Sequence, residues 1–248
     1  QGAKSGVQVL LWGVLPYAAL LLVRDVGLMD YALFLAIVAW ALAAFYLQYR
    51  SWSLVVECLT MLALVIIVLV HLFMPDLQAY WQHFFTVRFG ELKQIDTTLP
   101  TNMEKNFISM LAPIATGLMA LMTMYLIMLV MVYARRWQIK LHSDSKTEYG
   151  FLDIRVGFIT LIITVIIYLF AFMRFPLAID CQQAIMFPFV IAGLSVVHYY
   201  MQSYRYGIFV LCFMYISFIL MGWMMLLIAV IGFLDVLFNF RKRFLRQS

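Results

Sequence analysis

Apolar runs as long as a bilayer is thick recur from one end of this chain to the other. A helix needs about 20 apolar residues to cross the hydrocarbon core. Runs 5–23, 31–47, 52–73, 107–134, 154–173 and 183–200 meet that length or come close to it. A last block, 207–240, is too long for one ordinary span and short for two. No soluble fold hides this much apolar surface, because a water-facing surface forces polar groups outward. Of the 248 residues, 66% are hydrophobic and 12% charged, against about 25% charged in a soluble domain. With lipid as the solvent the conflict disappears, and helices satisfy their own backbone groups there. The expectation is an all-α, polytopic transmembrane helix bundle forming one membrane-embedded domain over 1–248.

Charge sets the expected topology. The net charge is +5, and the basic residues gather at the ends of apolar runs, which points to membrane orientation and not to nucleic acid. The densest basic stretch is the connector with Arg135, Arg136, Lys140, Lys146 and Arg155. Lys and Arg are enriched in cytoplasmic loops, so this connector is placed inside. Alternation then puts the loop of Arg174, Pro176 and Asp180 outside and Arg205 inside. A hairpin turning near Gly222 within the last block returns Arg241, Lys242 and Arg243 to the cytoplasm. The count is about eight spans, with both ends cytoplasmic.

Two segments break the pattern. Between Asp76 and Lys105, the residues Leu77, Trp81, Phe84, Phe85, Leu92 and Ile95 recur near helical spacing, while Gln78, Gln82, Arg88, Glu91 and Lys93 fill the other face. This is the pattern of an amphipathic helix lying in the outer interface, with a protein-facing flap as the competing reading. The string RRWQIKL after residue 134 suggests a short interfacial helix on the cytoplasmic side.

Glu57 is the acid that falls clearly inside a predicted span. A carboxylate in lipid costs upward of about 2.5 kcal/mol, so it should face protein or water. It is a candidate proton, cation or ligand site; the alternatives are snorkelling to the interface or pairing with Arg50. His198, at the cytoplasmic end of the sixth span, is a second candidate because histidine titrates near neutral pH. Against that stands a plain interfacial belt with Tyr199 and Tyr200, and His71 at the other end of the third span reads the same way. Asp235 is placed to pair with the basic tail that follows it. Ala32, Ala36, Ala39 and Ala43 follow the small-xxx-small spacing that lets helix backbones approach, toward an internal or an external partner. Cys58, Cys181 and Cys212 have no metal-ligand or disulfide spacing, and lone histidines on separate helices do not make a metal site. No metal or other cofactor is expected. No Walker, GxSxG, HExxH or dinucleotide motif is present, so no ATPase or hydrolase chemistry is expected.

The strings GAKSGVQVLLWGVLP, ARRWQIKLHSDSKTEYGFLDIRVGF and GFLDVLFNFRKR resemble the YybS-like family of bacterial membrane proteins. Trp137 after the paired arginines, Glu148 and Tyr149 before Arg155, and Asp235 ahead of Phe240 carry the likeness. The family usually has proline in the last hairpin where this chain has Gly222, and its usual glycine-rich turn is missing from the middle connector. The resemblance implies a bacterial inner-membrane location and a further N-terminal segment before Gln1. It also implies a distant likeness to the substrate-binding subunits of energy-coupling-factor transporters and to the MreD subunit of the cell-elongation machinery.

Two function classes follow. One is a solute-binding or transport subunit with a pocket near the midplane or outer leaflet, lined by aromatics and a few polar groups. The other is a non-catalytic scaffold subunit that holds other membrane proteins. The lipid bilayer is a partner in both.

Overall fold

A computed structural model describes residues 27–95, 101–141, 153–202 and 204–240. The first expected span, 5–23, and the tail residues Arg241, Lys242 and Arg243 lie outside the described residues, as do Lys146, Glu148 and Tyr149. The described residues form α1 (Gly27–Tyr49), α2 (Trp52–Phe73), α3 (Leu77–Ile95), α4 (Thr101–Leu111), a 3-10 turn (Ala112–Ile114), α5 (Ala115–Leu141), α6 (Phe158–Phe172), α7 (Pro176–Met201), α8 (Gly207–Leu220) and α9 (Met224–Phe238). Four stretches are long and apolar enough to cross a membrane: Tyr31–Tyr49, Trp52–Phe73, Glu104–Lys140 and Pro176–Met201. Large apolar side chains stand exposed on most of these helices, on α6 up to 87% at Phe172. Apolar exposure on this scale is untenable in water and suits lipid. The chain is a helical membrane protein.

Local chemistry explains the helix boundaries. Ser51 caps α2 by accepting the Leu54 N–H at 3.4 Å. Arg50 takes a left-handed conformation (φ 53°), which turns the chain sharply between α1 and α2. Pro176 opens α7 at a position where its missing N–H costs nothing. Asn239, also left-handed at φ 52°, closes α9.

Several expectations are corrected. The stretch 107–134 falls within the span Glu104–Lys140, but it is not one unbroken α-helix: Pro113 sits in the 3-10 turn between α4 and α5. RRWQIKL is not a separate helix but the continuation of α5 to Leu141. Residues 154–157 are not helical, so α6 has only 15 residues. Asp180, expected in an outside loop, lies within α7 and is buried. The last block does break at Gly222, between α8 and α9. Helices α6, α8 and α9, of 15, 14 and 15 residues, rise about 21–23 Å, short of a ~30 Å core.

The helix α7 is the hub, packing against α2, α5, α6 and α9. It is the least apolar of the four long stretches and the most buried. The two facts belong together: a helix shielded from lipid by its neighbours can carry Asp180, Gln182, Gln183 and Ser195. One core joins α2, α5 and α7 through Val55, Val56, Leu59, Met124, Ile185 and Phe187. A second joins α7 to α9 through Phe189, Val190, Ile228 and Ala229. Here the backbones nearly touch. A Cβ on Gly193 would overlap the Ile228 carbonyl, and one on Gly232 would overlap the Phe189 carbonyl. Glycine is what permits this distance.

Candidate functional site

Two polar clusters lie near opposite ends of α2, about 21 Å apart by helical rise from Glu57 to His71. The first begins with Ser53 and Glu57, one turn apart on one face of α2. The non-helical segment before α6 is laid across that face. Ser53 Oγ receives the Arg155 N–H at 2.9 Å, and the Glu57 carboxylate receives the Gly157 N–H. Gly157 is the N-cap of α6. Glu57 therefore supplies, from another helix, the negative charge that a helix N-terminus attracts. A Cβ on Gly157 would lie 2.7 Å from Glu57 Oε1, so a larger residue there would make the Glu57 carboxylate shift. Arg155 continues the cluster, its guanidinium bonded to the Asn239 side chain and 3.9 Å from Asp235 Oδ2. Asp235 Oδ1 in turn accepts the Phe240 N–H at 3.1 Å. Asp235 thus has Arg155 as a charged partner; the basic tail that the sequence suggested for it lies outside the described residues.

This arrangement predicts how Glu57 variants behave. Glu57→Gln keeps an oxygen for Gly157 and loses only the charge at the α6 terminus, costing about 0.5–1 kcal/mol. Glu57→Ala leaves the Gly157 N–H unsatisfied and costs about 1–3 kcal/mol. Thermal unfolding in detergent separates the two; equal losses would show that the hydrogen bond is not the stabilising element.

The second cluster joins α2, α5 and α7. The buried Asp180 accepts the Gly117 N–H at 2.8 Å and lies 3.3 Å from His71 Nε2. His71 Nδ1 is 3.0 Å from the Ile67 carbonyl oxygen. A Cβ on Gly117 would overlap the Asp180 backbone, so α5 and α7 meet here without an intervening side chain. Next to Gly117, Thr116 accepts the Trp81 indole N–H at 2.8 Å, which ties α3 to the same end. α3 turns Leu77, Trp81, Phe85 and Phe89 toward its neighbours, and Phe85 and Phe89 meet Phe107 of α4 edge-on. Phe84 and Leu92 stay exposed. Lys93 is paired with Glu104.

Between the clusters, α1, α2 and α5 border a half-open groove of about 210 Å³. Tyr31, Phe34, Leu59, Ala63, Ala120 and Thr123 are among its walls, which are almost wholly apolar. The Tyr31 and Thr123 hydroxyls bond each other at 2.7 Å.

No family model matches this chain, and neither does any curated protein or any solved structure. The functional reading therefore rests on the residues themselves.

Those named from sequence fall in different places. Glu57 sits in the first cluster. His198 lies apart from it, and its ring contacts are self-consistent: Nδ1 donates to the Leu194 carbonyl at 2.8 Å and Nε2 accepts from the Tyr215 hydroxyl at 3.2 Å. Such a ring joins α7 to α8. Ala32, Ala36 and Ala43 are exposed and Ala39 is half-buried. Arg135 lies over the Tyr46 ring at 5.7 Å and bonds Gln138, while Arg136 is exposed. Among the described residues no group of three His, Cys, Asp or Glu could hold a metal. Sequence reasoning missed His71 with Asp180 as a pair, and Gly117, Gly157, Gly193 and Gly232. Glycines inside apolar runs were the available signal for the two helix crossings.

Proposed function

We propose that this chain is a solute-binding or transport subunit of a bacterial inner membrane, taking an apolar molecule into the groove between α1, α2 and α5. The groove carries the reading. It is open on one side, walled by apolar side chains, and flanked by few polar groups, as a site for an apolar ligand requires. A diazirine-bearing fatty acid, photolysed with the protein in nanodiscs, tests it. Adducts should concentrate on 31–38, 59–67 and 116–127, and Ala120→Phe should remove them. Adducts spread evenly over every exposed helix would overturn the proposal.

The exposed row Ala32, Ala36 and Ala43 favours a second reading, a scaffold subunit whose α1 receives a helix of another membrane protein. Ala36→Leu should then release a co-purifying polypeptide. Eight spans with a cytoplasmic C-terminus belong to the same proposal, supported by the distribution of Lys and Arg. Cysteine labelling of the tail from the periplasmic side would contradict that topology.

A further inference from the structure

His71 stands between two acceptors. Its Nδ1 is 3.0 Å from the Ile67 carbonyl oxygen, and its Nε2 is 3.3 Å from Asp180 Oδ2. A carbonyl has no proton to give, so the Nδ1 contact needs a proton on Nδ1. A neutral imidazole has only one N–H. With that proton at Nδ1, an unprotonated Nε2 lies 3.3 Å from a carboxylate oxygen. The other tautomer fails in the same way, setting a lone pair on Nδ1 against the carbonyl. Asp180 is not free to turn aside. It is 3% exposed, its other oxygen holds the Gly117 N–H, and its backbone is pressed against Gly117.

We infer that His71 and Asp180 form a proton-binding site that holds one proton more than a neutral histidine beside a carboxylate. The proton sits on the ring as imidazolium or on Asp180 as carboxylic acid. Either way the pair is neutral overall, the state a low-dielectric interior favours. The surroundings agree. The Cys181 thiol follows Asp180 and is buried. From α3 comes the Trp81 indole, bonded to Thr116. From α6 comes Tyr168, bonded to Gln182. Asp76 and Arg174, the charged residues that bracket this end, are exposed. Among the described residues, the ion pair of Asp180 is with His71.

The bound proton joins the end of α2 to the start of α7. Its loss leaves one uncompensated negative charge in a low-dielectric interior, so this end loosens when the proton is gone. Thr116 and Ile67 line the groove here, beside Gly117 and the carbonyl that faces His71. Deprotonation would therefore act on the groove mouth, a consequence that rests on the proposed function; the proton site itself does not.

Solid-state NMR of the full chain in nanodiscs, with ¹⁵N-labelled histidine, tests the site at pH 7. The chain has four histidines, and His71→Gln identifies the relevant signals by their loss. The expected result is a protonated Nδ1 together with an Nε2 that is either protonated or accepting a hydrogen bond. In Asp180→Asn the amide can donate to Nε2 and still accept from Gly117, so His71 should become a neutral ring protonated at Nδ1 alone. A wild-type ring with a free lone pair on either nitrogen would overturn the inference. That readout needs no variant of Asp180 to fold, and it is independent of whether the groove binds the fatty-acid probe.

Discussion

Replacing Gly193 with valine is expected to separate α9 from α7 and cost about 3 kcal/mol or more. The reason is geometric. The first carbon of any side chain at Gly193 would occupy the space of the Ile228 carbonyl oxygen, and Gly232 faces Phe189 in the same manner. A backbone carbonyl inside a helix cannot rotate aside, so the helices must move apart and lose the contacts among Phe189, Val190, Ile228 and Ala229. In lipid no hydrophobic force compensates, because helix association there rests on close packing. The expected order of stability is Gly above Ala above Val at both positions, read as the thermal midpoint in mild detergent. Gly90 is the control: a Cβ there meets nothing within 4 Å, and Gly90→Ala should stabilise α3 by about 0.5–1 kcal/mol. If Gly193→Val unfolds at the parent's midpoint, the close crossing is not present.

The second large effect is expected at Asp235. It is 2% exposed, accepts the Phe240 N–H and lies within 3.9 Å of Arg155. Asp235→Ala strands that N–H and removes the charge opposite Arg155, a loss of about 2–3 kcal/mol. Asp235→Asn keeps an acceptor and should cost less than half as much. A double-mutant cycle with Arg155→Met isolates the charge component. Arg155 is 38% exposed, so its coupling should be modest and should shrink in high salt. Coupling that does not respond to salt would mean that the carboxylate acts as a cap and not as a counter-charge.

Much of the helix plan was legible in the sequence because its punctuation is local. Ser51 before a long apolar run marked the start of α2, and Gly222 marked the break in the last block. Pro113 carried equally local information and was overlooked inside an otherwise unbroken run. Asp180 was misplaced for a different reason. An acid near the end of an apolar run reads as loop when each helix is imagined alone in lipid, and only the shielding by α2 and α5 makes a buried carboxylate tolerable there. Glu57 stood out as an acid within a span, yet its partner Gly157 is 100 positions away. Such pairings follow from how helices are arranged and leave no local pattern. The tight crossing of α7 with α9 belongs to single glycines, Gly193 and Gly232, which form no spaced motif.

The burial of α7 has a consequence for how the protein is made. A segment carrying Asp180, Gln182 and Gln183 partitions into a bilayer less readily than its oilier neighbours. During synthesis α2 and α5 are already embedded when α7 emerges, and they offer it a protein surface in place of lipid. Its opposite flank stays uncovered until α9 follows. Helix α9, made after α7, thus closes the middle of the molecule, and α7 should reach its full packing only once residues up to 238 are in place.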